Sequence, residues 1–204
     1  MVVTTGIANC PTTDAVLIGQ SLDDPERFGM IFERYFSQIH QYLARRVGPG
    51  SAGDLAAEVF VVAFSQRQRY DLARDCARPW LYGIATNLAG THRRQEERRY
   101  RALARADASL ASPSEEDLIA DRVSARAARP ALAAALAGLD GRDRDVLLLV
   151  ALAGLSYDEV ATSLDIPYGT VCSRLNRARR RLRDCLETSP VNPAESTRKE
   201  RHDG

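Results

Sequence analysis

Between Gly154 and Leu186 the chain reads GLSYDEVATSLDIPYGTVCSRLNRARRRLRDCL, two short helical patterns either side of a tight turn, the second loaded with arginine. Ser156 and Glu159 stand at the spacing of a capping box, in which the serine oxygen accepts from the Glu159 amide and the Glu159 carboxylate reaches back to the Ser156 amide. A helix is therefore expected to start here and to bury Val160, Ala161 and Leu164. Pro167 suits the first turn of the next helix, where its missing N–H would have had no partner. In that helix Val171, Leu175, Ala178, Leu182 and Cys185 with Leu186 recur at spacings of four and three, which makes one apolar stripe. Thr170, Ser173, Arg174, Arg177 and Arg181 fall on the other side. Asp165, in the turn, belongs to a residue type that tolerates positive φ better than most.

Two short helices around a tight turn have the geometry of a helix-turn-helix, whose second helix lies in the DNA major groove with its first residues at base edges. The arginines supply phosphate neutralisation and forked donors suited to guanine. Arginine clusters alone are more often a solvated helix face. The capped helix and the turn that precede this one favour DNA contact.

The net charge of +1 over 204 residues hides strong segregation along the chain. Between His92 and Arg105 there are six arginines against Glu96 and Glu97, and from Arg174 to Arg183 six more with no acid. Asp107 to Asp121 carries five acids and no base. Two basic patches separated by an acidic connector point to two contacts with one polyanion. Cys10, Cys76, Cys172 and Cys185 show no short metal-ligand spacing and the histidines are scattered, so neither a metal site nor a disulfide framework is expected. No cofactor is expected, and there is no HExxH, GxSxG, P-loop or paired-carboxylate helix to carry catalysis. The start of the chain lacks a secretory pattern and no apolar run is long enough to span a bilayer, so the expected location is the cytoplasm, without membrane insertion.

Taken in order, residues 1–24 are weakly patterned and expected to be mobile. From Pro25 an aromatic stripe of Phe28, Phe32, Tyr35 with Phe36, Ile39, and Tyr42 with Leu43 predicts a core helix ended by Gly48-Pro49-Gly50. Ser51 with Asp54 is placed to cap the next, which runs from Asp54 to about Arg69 and is apolar over more than one face. Such a helix needs a second partner, inside the domain or outside it. Tyr70 to Ala77 reads as a loop, with Tyr70 the freer ring for stacking on a base. Pro79 restarts a helix with Trp80, Leu81, Ile84, Ala85 and Leu88 on its apolar side, Trp80 being read as a core anchor. Asn87, Thr91, Arg94 and Arg98 follow as a polar and basic ridge along one long helix, the equipment that single-stranded nucleic acid needs. Residues 106–129 read as a linker. Pro130 opens a helix ended by Gly138, Asp140 caps another from Arg142 to Ala153, and Gly154 closes it. Residues 188–204 are expected to be disordered. The fold class is all-α: two small helical domains, 25–105 and 130–187, joined by a flexible acidic linker.

The order of aromatic helix, DLAAEVFVVAF helix, loop, PWLYGIATNLAGTHRRQ helix, acidic linker and terminal helix-turn-helix resembles the bacterial extracytoplasmic-function (ECF) sigma factors over about residues 26–187. These are small RNA polymerase specificity subunits built from two domains, region 2 and region 4. The resemblance implies core RNA polymerase and promoter DNA as partners. The helix edged by Asp54, Glu58 and Val61 would dock on the clamp helices of the β′ subunit, and the C-terminal domain would meet the β flap. Tyr70 and Asp71 in the loop, with Asn87, Thr91, Arg94 and Arg98, would hold the melted minus-10 element. Thr170, Ser173, Arg174, Arg177 and Arg181 would read the minus-35 duplex. Many relatives also have an anti-sigma partner. The family commonly has glutamine where this chain has Ala57, arginine at Thr86 and aspartate at Thr91. An autonomous helix-turn-helix regulator is the alternative; it predicts a stable dimer, for which no heptad seam is visible.

Overall fold

The computed structural model describes residues 13–106 and 130–187. Among them every regular element is helical: α1 Asp14–Gln20, α2 Gly29–Val47, α3 Pro49–Gln66, α4 Arg78–Thr91, α5 Arg93–Ala106, α6 over residues 130–137, α7 Gly141–Ala151, α8 Tyr157–Leu164 and α9 Tyr168–Glu187, with 3-10 turns at Pro25–Phe28 and Arg67–Arg69. The described residues form two compact units, one of 13–89 with Thr162–Asp165, the other of 90–106, 130–161 and 166–187. The division falls inside α4, so α5 groups with the C-terminal helices, although its sequence continues the ridge of the N-terminal domain. Most of the expected linker, the start of the N-terminal segment and the expected tail lie outside the described residues.

The first unit contains a helix, α1, within the segment 1–24 expected to be mobile. Thr13 caps α1 by accepting from the Val16 amide, and Leu17 and Ile18 are 1% and 0% exposed. Seven residues are too few for an apolar period to stand out, and long-range packing holds the helix instead. Pro25 opens a 3-10 turn capped by Asp24, and α2 follows. Gly48, at φ 104°, makes the corner between α2 and α3, and α3 begins at once on Pro49. The expected cap at Ser51 is thereby overtaken: a left-handed glycine followed by proline starts the helix before Ser51 is reached.

Ile31, Ile39, Leu43, Leu55, Val59 and Leu81, each at most 3% exposed, draw α2, α3 and α4 into one core. Complete burial of such a side chain contributes roughly 1.5–3 kcal/mol. The second apolar side of α3 is met mainly inside this unit. Phe60 is 5% exposed, with its ring 5.0 Å from Phe32, and Phe64 meets Phe28 edge-on at 5.4 Å. A polar cluster crosses the same core: Arg46 donates to the Tyr42 hydroxyl at 2.9 Å, which lies 2.9 Å from the Thr86 hydroxyl.

The ridge expected along one long helix is interrupted at His92, which separates α4 from α5. Gly90 and Thr91, both weak helix formers, adjoin the break.

In the second unit Asp140 accepts from the Arg142 amide at 2.9 Å and starts α7. Gly154, at φ 64°, closes α7 and lets the Leu155 amide return to the Leu149 carbonyl at 3.2 Å. Val146, Leu149, Val160, Val171 and Leu175, all at most 1% exposed, form the core. Beside it Arg144, 1% exposed, donates to Glu96 of α5 at 3.1 Å and to the Leu139 carbonyl at 3.0 Å. No helix among the described residues is long and apolar enough to cross a membrane.

Candidate nucleic-acid interface

The C-terminal candidate is built from α8, the turn and α9. The capping box forms as the sequence predicts: Ser156 N–H donates to Glu159 Oε2 at 2.7 Å and Glu159 N–H to Ser156 Oγ at 3.2 Å. Replacing Ser156 with alanine is expected to cost about 1 kcal/mol, read as a lowered midpoint in thermal unfolding; no shift would mean that water substitutes for the serine. Val160 is buried, while Ala161 and Leu164 are only half-buried. The chain then reverses at Asp165, at φ 50°, and Pro167 immediately precedes α9, its carbonyl accepting from the Thr170 and Val171 amides.

On α9, Val171, Leu175 and Ala178 face the core, Leu182 is half-buried and Cys185 and Leu186 are exposed, so the apolar stripe frays toward the end of the helix. Thr170, Arg174, Arg177 and Arg181 follow one another at spacings of four, three and four, with Ser173 four before Arg177, and share the strip beside the core-facing residues. Ser173, Arg177 and Arg181 are exposed, and Thr170 and Arg174 half-exposed. The Ser173 hydroxyl donates back to the Thr170 carbonyl at 3.0 Å. Arg177 is held in a fork by Asp143 of α7, Nε to Oδ2 at 3.1 Å and Nη2 to Oδ1 at 2.9 Å. That carboxylate pushes the Arg177 guanidinium further into its charged range and fixes its direction. Asp143 lies 34 residues away in sequence, beyond the reach of the helical spacing that marks the other site residues.

The N-terminal candidate differs more from expectation. Tyr70 is not a free ring: it is 7% exposed, lies 5.0 Å from the Trp80 ring and donates its hydroxyl to the Arg74 carbonyl at 2.6 Å. Burial raises its phenol pKa. Trp80, expected as a core anchor, is the half-exposed member of the pair. Asp71 is exposed and organises the loop, accepting from the Ala73 amide and from Arg74 Nε, both at 3.1 Å. These donors, the amide foremost, hold its carboxyl below the usual range. Asn87 and Thr91 are exposed on α4 and Arg98 on α5; Arg94 lies in α5 with its side chain outside the described residues. Thr86, by contrast, is 2% exposed and bonded to Tyr42.

Asp54, Glu58 and Val61 are exposed at spacings of four and three along α3, Val61 to 65%. They form a short acidic and apolar strip on the solvent-facing side of α3, continued by the exposed Ala57.

Residues 31–99 match the model of sigma-70 region 2, and residues 129–182 that of sigma-70 region 4. The chain belongs to the sigma-70 family, in its ECF group. It is 32% identical over 147 residues to the probable RNA polymerase sigma-C factor of Mycobacterium bovis, covering 69% of this chain and 73% of that one. To the ECF RNA polymerase sigma factor SigW of Bacillus subtilis it is 30% identical over 170 residues, 80% of this chain and 90% of the relative. Its fold is similar to that of CnrH, solved in complex with the cytosolic domain of CnrY, at a TM-score of 0.59 and 24% identity over 85% of this chain and 97% of that one. In sigma-factor terms α2 to α5 hold the region 2 match, and α6 to α9 the region 4 match. α1 precedes both.

Proposed function

We infer that this sigma factor binds core RNA polymerase and directs promoter-specific initiation, gripping a promoter twice: as duplex at minus-35 through α9 and as separated strands at minus-10 through the Tyr70 to Ala77 loop and the Asn87 to Arg98 stretch. The observation that carries this is the occurrence of both region matches, in order, on one chain. Arg174, Arg177 and Arg181 supply phosphate neutralisation and groove contacts, with Thr170 and Ser173 toward the N-terminal end of the helix where base edges are met. Asp71 shapes the loop, and Asn87, Thr91, Arg94 and Arg98 serve the strand. The strip of Asp54, Glu58 and Val61 docks on the β′ clamp helices, and region 4 meets the β flap.

The mechanism is differential affinity. A domain that binds unstacked bases better than stacked ones shifts promoter DNA toward the open state. Unstacking costs a few kcal/mol per step, against roughly 1–3 kcal/mol of stacking recovered per captured base, so the polymerase must supply the remainder. The similar chain RpoE of Bartonella quintana was solved in complex with the anti-sigma factor NepR, and CnrH with the cytosolic domain of CnrY; an anti-sigma partner is proposed here too. The function is non-enzymatic.

Adding the purified chain to core polymerase should give promoter-specific transcripts from genomic templates, and complete failure to do so, with no binding to core, would refute the reading. Within it, Arg181→Ala is expected to weaken minus-35 duplex binding several-fold and to reduce the salt slope by about one counterion, uniformly across sequences. A change confined to one base position would instead make Arg181 a base reader.

A further inference from the structure

We propose that α1 is a splint that sets the shape of the minus-10-reading loop, with Asp14 as its positioning residue. The inference rests on the reading of that loop given above and concerns a helix that lies outside both family matches. Three attachments run along the loop. At its entry, Arg67 Nε donates to the Ser21 carbonyl at the end of α1, at 3.2 Å. At its middle, Leu72 lies over Gly19, close enough that a Cβ on the glycine would stand 3.7 Å from Leu72 Cδ2. At its exit, Asp14 is 2% exposed; its backbone N–H donates to the Asp75 carbonyl at 3.0 Å and its Oδ2 accepts from the Ala77 amide at 2.7 Å.

The same carboxylate is anchored from below by two side chains of α2, accepting from the Tyr35 hydroxyl at 2.6 Å and from Arg34. A buried charge with this many donors has one favourable position, so the loop exit is fixed relative to α1 and α2. Between the attachments Asp71 to Cys76 remain exposed. The backbone of a reading loop is thus ordered before DNA arrives, and the entropy of ordering it is not charged to binding. Loosening the splint should weaken and blur base reading at minus-10 while leaving the minus-35 reader and the polymerase contact alone.

The test uses two full-length variants assembled with core polymerase, probed with a single-stranded minus-10 oligonucleotide and a minus-35 duplex, alongside thermal unfolding. Asp14→Asn removes the charge; Gly19→Leu puts a branched side chain where Leu72 now lies and adds a good helix former to α1. Both are expected to bind the minus-10 strand roughly tenfold more weakly, the order set by freeing one backbone residue, and to discriminate less between bases. Minus-35 affinity and core binding should stay at parent values. Gly19→Leu should also keep the parent's thermal midpoint, which separates positioning from stability and decides the matter if Asp14→Asn does not fold. Parent-like minus-10 affinity and base preference in Gly19→Leu would overturn the splint. A parent holoenzyme without base preference on that strand would overturn the reading of the loop, and the splint with it.

Discussion

Replacing Arg144 with leucine is expected to destabilise the C-terminal unit by about 3–5 kcal/mol, the usual cost of removing one partner from a buried ion pair. Arg144 and Glu96 are 1% and 2% exposed as side chains and 3.1 Å apart. Without the guanidinium, Glu96 is a buried carboxylate deprived of its principal cation, and the Leu139 carbonyl loses a donor at 3.0 Å. The Tyr100 ring, 5.8 Å from the guanidinium, loses its cation as well. Urea unfolding followed by helical circular dichroism reads the loss as an earlier transition of this unit.

The double variant Arg144→Met with Glu96→Met separates charge from packing. Burying two apolar side chains of similar length in place of an ion pair is often neutral or stabilising, so the pair should recover more than half of the deficit. The uncapped Leu139 carbonyl limits the recovery, since a buried acceptor without a partner costs roughly 1–3 kcal/mol. A deficit below about 1 kcal/mol in the single variant would place the pair among the solvent-screened class instead. Its neighbour in sequence gives the pair further consequence. Asp143 holds Arg177 of the recognition helix while Arg144 holds Glu96 of α5, so two adjacent residues of α7 tie both basic helices of this unit to one frame.

What could be read from sequence follows the range of the interactions. The Ser156 and Glu159 box, the turn at Asp165, the closure at Gly154 and the Asp140 cap are all settled within about six residues, and all are present in the structure. The exposed strips of α3 and α9 were equally legible, because helical spacing alone decides which residues share a face. Features that depend on a partner far along the chain were not. α1 is fixed by Asp14 reaching Tyr35 and Ala77, 21 and 63 residues away. Tyr70 goes inside because Trp80 and the Arg74 carbonyl receive it, which no local period announces. Arg177 and Arg144, two of the many arginines that read alike in sequence, are told apart only by the acids that meet them.

Thr86 carries the same lesson into a family comparison. Introducing arginine there, the residue that sigma factors of this group commonly have, is expected to lower the stability of the N-terminal unit by at least about 3 kcal/mol and to add no grip on DNA. Thr86 is 2% exposed, its hydroxyl is 2.9 Å from that of Tyr42, and Tyr42 in turn accepts from Arg46, itself 1% exposed. A longer side chain overfills this packing, at roughly 1–3 kcal/mol, and brings a second guanidinium beside one already buried. Asn87, the next residue and about 100° further around α4, is the position that faces solvent. Thr86→Val serves as the control, since it keeps the volume and removes the hydroxyl. It should cost only about 1 kcal/mol, so a large gap between the two variants isolates size and charge. Urea unfolding and binding of a single-stranded minus-10 oligonucleotide in the holoenzyme decide the case. A Thr86→Arg protein that is as stable as its parent and binds that strand more tightly would mean that α4 can turn this position outward, and that the hydroxyl pair with Tyr42 does not hold it in place.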